Sequence, residues 1–167
     1  MAILTLNSSA ITDFVAVPRV PVSPIKGGEA RLHCVVGVVA TTADATTTSV
    51  FRFCRVPSNC AVRSVRLSCA AGTTGGIDIG LHQTAENGGA VVDADLFGSA
   101  VAITSARESL EVIDESGEYT YTEQTQPLWQ AIGLTTDPHR TYDVSATVTT
   151  TWAGGPTSVR IQVWYVK

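Results

Sequence analysis

The sequence predicts an all-β protein: a jelly-roll-like antiparallel β-sandwich with an extended N-terminal arm and one short helix. Three observations carry that expectation. Short runs of β-branched, aliphatic and aromatic residues alternate with polar ones at period two, the pattern of strands with one buried face. Turns rich in Gly, Asn, Asp and Pro separate the runs. Only one Met and 4 Phe occur in 167 residues, which argues against a large helical core. A chain of this length suits one core and is too short to expect two. The arm is therefore assigned to residues 1–30 and the sandwich to residues 31–167.

In the arm, Pro18, Pro21 and Pro24 recur at every third position and Lys26-Gly27-Gly28 follows. That spacing favours an extended, polyproline-like path and excludes a central strand. The segment is too apolar for a solvated tail, with Ile3, Leu4, Leu6, Ile11 and Val15 beside its other aliphatic residues. Such an arm wants a groove, either on its own domain or on a neighbour. Phe14, Val17, Pro18, Val20, Pro21, Val22 and Pro24 are its candidate contact residues.

From Arg31 the strands begin. RLHCVVGVVA reads as the first, and a Thr-rich connection follows. SVFRFCRV is the second, with Phe51 and Phe53 on one face, and Pro57-Ser58-Asn59 is a turn. AVRSVRLSCA is a strand with Val65, Leu67 and Cys69 inward. AGTTGG turns into IDIGLHQT, with Ile77, Ile79 and Leu81 on one face, and ENGG leads to AVVDADLFGSAVAI. In residues 105–118, Leu110, Val112 and the acids fit a short strand or a helical turn, and the region is taken as loop. In PLWQAIG, Pro127 stands where a short helix would start and Gly133 where it would stop, and Trp129 is expected to plug the core.

Two alternating runs close the chain, TYDVSATVTTTW and TSVRIQVWYV, around Ala153-Gly154-Gly155-Pro156. They read as an antiparallel hairpin. Tyr142, Val144, Ala146 and Val148 share one face of the first run; Val159, Ile161, Val163 and Tyr165 share one face of the second. Trp152 then falls at the hairpin tip and Trp164 on the polar face of the last strand, so both are candidate contact residues. About eight short strands with glycine-rich turns point to a sandwich, for which the jelly roll is the usual eight-stranded form.

Composition narrows the function. Charged residues make up 16% of the chain, against roughly 25% in ordinary soluble domains. Thr, Ser, Ala and Gly take their place, which is expected where neighbours cover much of the surface. The net charge is −4 and the 11 Lys and Arg are scattered, with Arg52, Arg55, Arg63 and Arg66 spread over two strands. No basic track follows a phosphate backbone, so no nucleic-acid partner is expected. No run of about 18 apolar residues occurs, so no membrane span is expected. The opening MAILTLNSSAITDF does not read as a secretory signal, so synthesis in the cytoplasm is expected.

Cys34, Cys54, Cys60 and Cys69 are spaced by 20, 6 and 9 residues, unlike the close pairs that zinc prefers. They are expected as free, buried thiols. Asp93-Ala94-Asp95 lacks the rest of a calcium loop. Glu108, Glu111, Asp114, Glu115 and Glu118 read as a solvated acidic stretch, with a divalent ion or a basic partner as the alternative. Gly75-Gly76-Ile77-Asp78-Ile79-Gly80 is not a dinucleotide fingerprint, and neither a phosphate loop nor a nucleophile elbow occurs. His33, His82 and His139 lie far apart in sequence. No catalytic residue, cofactor or metal is expected.

Three long runs carry a family resemblance: FRFCRVPSNCAVRSVRLSC, IDIGLHQTAENGGAVVDADLFGSAV and PLWQAIGLTTDPHRTYDV, with a last strand ending in VWYV. Over roughly residues 50–167 they resemble the small head proteins of tailed bacteriophages. The most specific pieces are Gly80-Leu81-x-Gln83-Thr84 followed by Gly88-Gly89-Ala90-Val91-Val92-Asp93, and Leu128-Trp129-x-Ala131-x-Gly133-Leu134 leading to Asp137-Pro138. The resemblance implies a capsid decoration or cement protein on the outer surface of the head. It further implies a homo-oligomer, a trimer, that bridges subunits of the major capsid protein in the virion after assembly in the host cytoplasm. Two other readings stand beside it. One is a head-fibre, tail or receptor-recognition module with a carbohydrate site, for which Trp152 with Asp137 is the candidate. The other is a cupin-like enzyme, which would need a cluster of His and Glu on facing strands.

Overall fold

The computed structural model describes residues 30–41 and 45–167, so the contact residues expected between Phe14 and Pro24 lie outside the described part. Among the described residues, eight strands occur in chain order: β1 (Leu32–Ala40), β2 (Val50–Pro57), β3 (Ala61–Cys69), β4 (Gly76–Gln83), β5 (Val91–Ala102), β6 (Arg107–Glu111), β7 (Thr141–Thr150) and β8 (Ser158–Val166). A helical turn, α1 (Leu128–Ala131), precedes β7. The strands form two four-stranded sheets, β1-β8-β3-β6 and β2-β7-β4-β5.

The pairing is nested. β1 pairs with β8, β2 with β7, β3 with β6 and β4 with β5, all antiparallel. The chain thus behaves as one long hairpin whose tip is the β4–β5 turn. That hairpin is wrapped on itself so that β3 meets β8 and β4 meets β7. This is the jelly roll that the sequence predicts. Between the sheets lies one apolar core, in which Val65, Leu67, Ile161 and Val163 join Ile77, Ile79, Leu81 and Val144, all fully buried.

The expected C-terminal hairpin does not form. β7 pairs with β2 and β4, and β8 with β1 and β3, so the two strands lie in different sheets. Alternating hydrophobicity reports a half-buried strand but not its partner. Residues 151–157 carry the chain over the rim of the sandwich, a longer path than the hairpin loops of roughly 2–5 residues.

The region expected as loop contains β6. Its RESLE sequence has no apolar alternation, which is why it escapes a hydrophobicity reading. Polar contacts hold it to β3 instead: Glu111 Oε1 accepts from the Val65 amide at 2.8 Å, and Oε2 from Ser64 Oγ at 2.6 Å.

The short helix forms where Pro127 and Gly133 place it, and Gly133 takes the left-handed φ of 78° that ends it. Leu128 is the fully buried plug, and Trp129 is only half-buried. A helix of one turn aims one residue inward, and the anchoring backbone bonds decide which. The Leu128 amide donates to Cys60 O at 2.7 Å and the Trp129 amide to Ser58 O at 3.0 Å. β1 crosses close to the other sheet at Gly37, where a Cβ would stand 2.2 Å from Phe53 O, so that position admits no side chain.

Candidate interaction surfaces

Trp152 follows directly from the rim crossing. Expected at an exposed tip, it is 1% exposed and stacks on Phe51 with ring centroids 5.4 Å apart. Gly155 and Gly75 lie against it: added Cβ atoms would come within 2.4 Å and 2.6 Å of the indole. It is a core residue with no surface to offer a partner. Trp164 is half-buried on the outer face of β8, opposite Cys34 of β1 and Ser64 of β3.

The outer face of the second sheet carries a polar cluster that sequence reasoning did not assemble. Arg52 Nη1 donates to Asp143 Oδ2 at 2.7 Å and to Gln83 O at 2.6 Å, and its Nη2 donates to Gly89 O at 2.8 Å. Arg55 Nε reaches Asp143 Oδ1 at 3.0 Å, and its Nη2 reaches Glu86. One guanidinium therefore ties β2 to β7 and to both ends of the β4–β5 turn. The signal was present in part, as the dense arginine group, but its partner Asp143 lies about ninety residues away in sequence.

Beside this cluster, Ser145 Oγ and His82 Nδ1 are 2.6 Å apart. Ser145 is 1% exposed and His82 2%, and His82 Nε2 has no partner among the described residues. Burial holds the His82 imidazole below its usual range, with Arg52 adding to the effect and Asp143 opposing it. A serine sealed from solvent beside a neutral imidazole meets no substrate, so the contact is a buried polar pair of the fold. His33 stacks on Tyr165 in the other sheet, and His139 pairs with Asp137 in a loop. The three histidines are not brought together.

The acidic stretch is only partly a solvated loop. Glu111 binds β3 as above, and Glu115 Oε2 accepts from the Ser99 amide at 2.7 Å. Among the described residues, Asp93, Asp95 and Glu118 form a metal-capable group, with carboxylate oxygens within 4.8 Å of one another. Burial pushes the Asp93 carboxyl up, and repulsion from Asp93 pushes Glu118 up. These are the residues that would hold a cation, in a geometry that exposed carboxylates also adopt without one.

An open cleft of about 740 Å3 is lined by Arg55, Asn59, Thr84, His139, Arg140 and Lys167, among others. No Trp, Tyr or Phe is among its described lining residues, so it lacks a stacking platform for a sugar ring. Asp137 lies nearby and accepts from Ser58 Oγ at 2.5 Å. The Trp152–Asp137 pairing considered for carbohydrate is not made, because Trp152 is buried in the core.

The remaining surface feature is apolar. Leu32, Val36 and Val38 on β1 are 59%, 54% and 64% exposed. Cys34 between them is also exposed, a correction to its expected burial. Its strand reads as apolar throughout, but β1 is an edge strand, and pairing status is not written in hydrophobicity. Cys60 and Cys69 are buried and Cys54 half-buried, and burial pushes the Cys54 and Cys60 thiols up to about 12.

The nested strand order defines a double-sheet jelly roll whose described polar groups are either internal to the fold or open on its surface. No family model and no curated protein matches the chain. Among solved structures, it is similar to a chain of the cyanophage Pam1 capsid asymmetric unit, with a TM-score of 0.51 and 22% identity over 82% of this chain and 85% of that one. It is also similar to a chain of the capsid of Ralstonia phage GP4, with a TM-score of 0.52 and 12% identity over 82% of this chain and 84% of that one. At these identities the likeness is one of fold.

Proposed function

We propose that the protein is a virion structural protein that decorates the outer surface of a tailed-phage head, bridging major capsid protein subunits and stabilising the shell. The observation that carries this reading is the likeness, over 82% of the chain, to chains of two phage capsid assemblies. The surface supports it. Charge is sparse at 16%, and Leu32, Val36 and Val38 stand exposed, as suits a protein whose surface is covered after assembly. Arg52 and Arg55 pair with Asp143 and Glu86, and Arg66 with Glu111, so three of the four clustered arginines are engaged by carboxylates of the same chain.

The mechanism is mechanical. The sandwich supplies a rigid body that seats where capsid subunits meet, as a homotrimer whose three copies are linked. Linked copies bind with high effective concentration, so modest individual contacts suffice. Arm residues such as Phe14, Val17 and Val20 extend the footprint beyond the sandwich. A ligand that binds only the expanded shell stabilises it by mass action, about 2.7 kcal/mol per site at a hundredfold excess over Kd. No bond is made or broken.

The test is binding of the purified chain to expanded heads that lack it. Binding is expected, with a rise in the melting temperature of the heads. Removal of residues 1–28 is expected to weaken binding while leaving the β-type circular dichroism intact. Equal binding by the shortened chain would refute the arm's role, and failure of the full chain to bind heads would refute the function. The head-fibre or receptor-recognition reading loses its candidate sugar site with the burial of Trp152.

A further inference from the structure

Among the described residues, β1 is the outermost strand of its sheet and pairs only with β8. Its register places Leu32, Cys34, Val36 and Val38 opposite Val166, Trp164, Gln162 and Arg160, on the face turned away from the core. Leu32, Val36 and Val38 are more than half exposed. An exposed apolar strip of this kind is an aggregation hazard that proteins ordinarily cover.

The sequence supplies a cover of matching length and chemistry. Residues 1–29 lie outside the described part of the chain, which resumes two residues before Leu32. An extended, proline-spaced path advances about 3.1 Å per residue, so residues 14–24 would span roughly 34 Å. The nine residues of β1 rise about 30 Å at strand spacing. At three residues per turn, Phe14, Val17 and Val20 fall on one ridge, and Pro18, Pro21 and Pro24 on the next. Arg19 is the one charged residue in that stretch, and it falls on the third ridge with Ala16 and Val22. On such a path two adjacent ridges would be apolar, and the third would carry the one charge of the stretch. Gly27-Gly28 permits the chain to reverse direction just before β1.

We propose that, in the free protein, the apolar strip formed by Leu32, Val36 and Val38 of β1 with Trp164 and Val166 of β8 is the seat of residues 14–24 of the same chain. The contact is made by side chains across the face, since prolines at every third position cannot extend the β-ladder. The short tether favours the chain's own arm over that of a second copy, because it holds the arm near its seat at millimolar effective concentration. The inference goes beyond the capsid reading, and its test involves no capsid.

Cys34 is a reporter already in place. It is exposed on the proposed seat, whereas Cys60 and Cys69 are buried and Cys54 is half-buried with its thiol pushed up to about 12. The experiment compares the rate of Cys34 alkylation by a maleimide in the full chain, in full-length Val17→Asp/Val20→Asp and in full-length Arg19→Glu. These substitutions fall outside the eight described strands, and circular dichroism of each variant checks that the β fold is kept. The double variant is expected to react about tenfold faster than the parent, the ratio that follows from losing roughly 1.4 kcal/mol of contact. Arg19→Glu is expected to react at the parental rate, and the parental rate is expected to be independent of protein concentration. Equal rates in the parent and the double variant would overturn the proposal. Protection lost on dilution would overturn it as well, by assigning the seat to a second copy.

Discussion

Asp143, 6% exposed on β7, accepts a 2.7 Å hydrogen bond from Arg52 of β2 with one oxygen and a 3.0 Å bond from Arg55 with the other. A single carboxylate thereby bridges two guanidinium groups on the outer face of the second sheet, and Glu86 supplies the second negative charge through Arg55. Asp143→Ala is expected to destabilise the protein by about 2–3 kcal/mol in chemical denaturation. That is less than the 3–5 kcal/mol typical of a fully buried pair, because the Arg52 side chain is 34% exposed and water can reach it. Asp143→Asn, which keeps one acceptor oxygen, is expected to lose less. A change below 0.5 kcal/mol for Asp143→Ala would show that the cluster is ornamental.

Trp152 fills the rim where the chain passes between sheets, and Trp152→Ala is expected to cost about 3–5 kcal/mol by leaving a cavity. Trp152→Phe is expected to cost much less. It keeps the stack on Phe51 and removes an indole Nε1 that is buried without a partner among the described residues. Gly155→Ala is expected to destabilise too, since its Cβ would meet the indole at 2.4 Å. Thermal denaturation of the three variants checks the order.

His82 sets an acid limit. Its folded-state pKa lies below the unfolded value of about 6.5, so the unfolded chain takes up the proton first. Stability is therefore expected to fall as pH drops below about 6.5, and to stop falling from this source once the folded imidazole also protonates. His82→Gln is expected to flatten that part of the profile. An unchanged slope in the variant would remove His82 as its cause.

The carboxylates of Asp93 and Glu118 work in the opposite sense. Their folded pKa values are raised, so the penalty they impose is present at neutral pH and disappears as acid protonates them. Glu118→Gln is expected to raise the melting temperature at pH 7, with the gain shrinking towards pH 4. A loss of stability at pH 7 would mean that these acids are held by something other than mutual repulsion.

How far the fold can be read from the sequence depends on which physical signal an element uses. Ile77, Ile79 and Leu81, or Val159, Ile161 and Val163, announce their strands because they alternate at period two with polar or small residues. The short helix announces itself through Pro127 and Gly133, which act locally. Strand pairing is non-local, so the alternation in Thr141–Thr150 and Ser158–Val166 is equally consistent with a hairpin and with the two-sheet crossing observed. β6 carries only a weak hydrophobic signal, since Leu110 is its one apolar residue and Glu111 adds polar contacts with Ser64 and Val65. The edge position of β1, and the uncovered outer face that carries Cys34 and Val36, follow only from the assembled sheet. The same non-locality hid the Arg52–Asp143 cluster.

The most direct measurement is the protein content of purified virions of a phage that encodes this chain. The account predicts this chain at a fixed, stoichiometric ratio to the major capsid protein, retained through density-gradient purification and absent from the particle interior. Particles that contain none of it, while the chain accumulates in the soluble fraction of the lysate, would contradict the account.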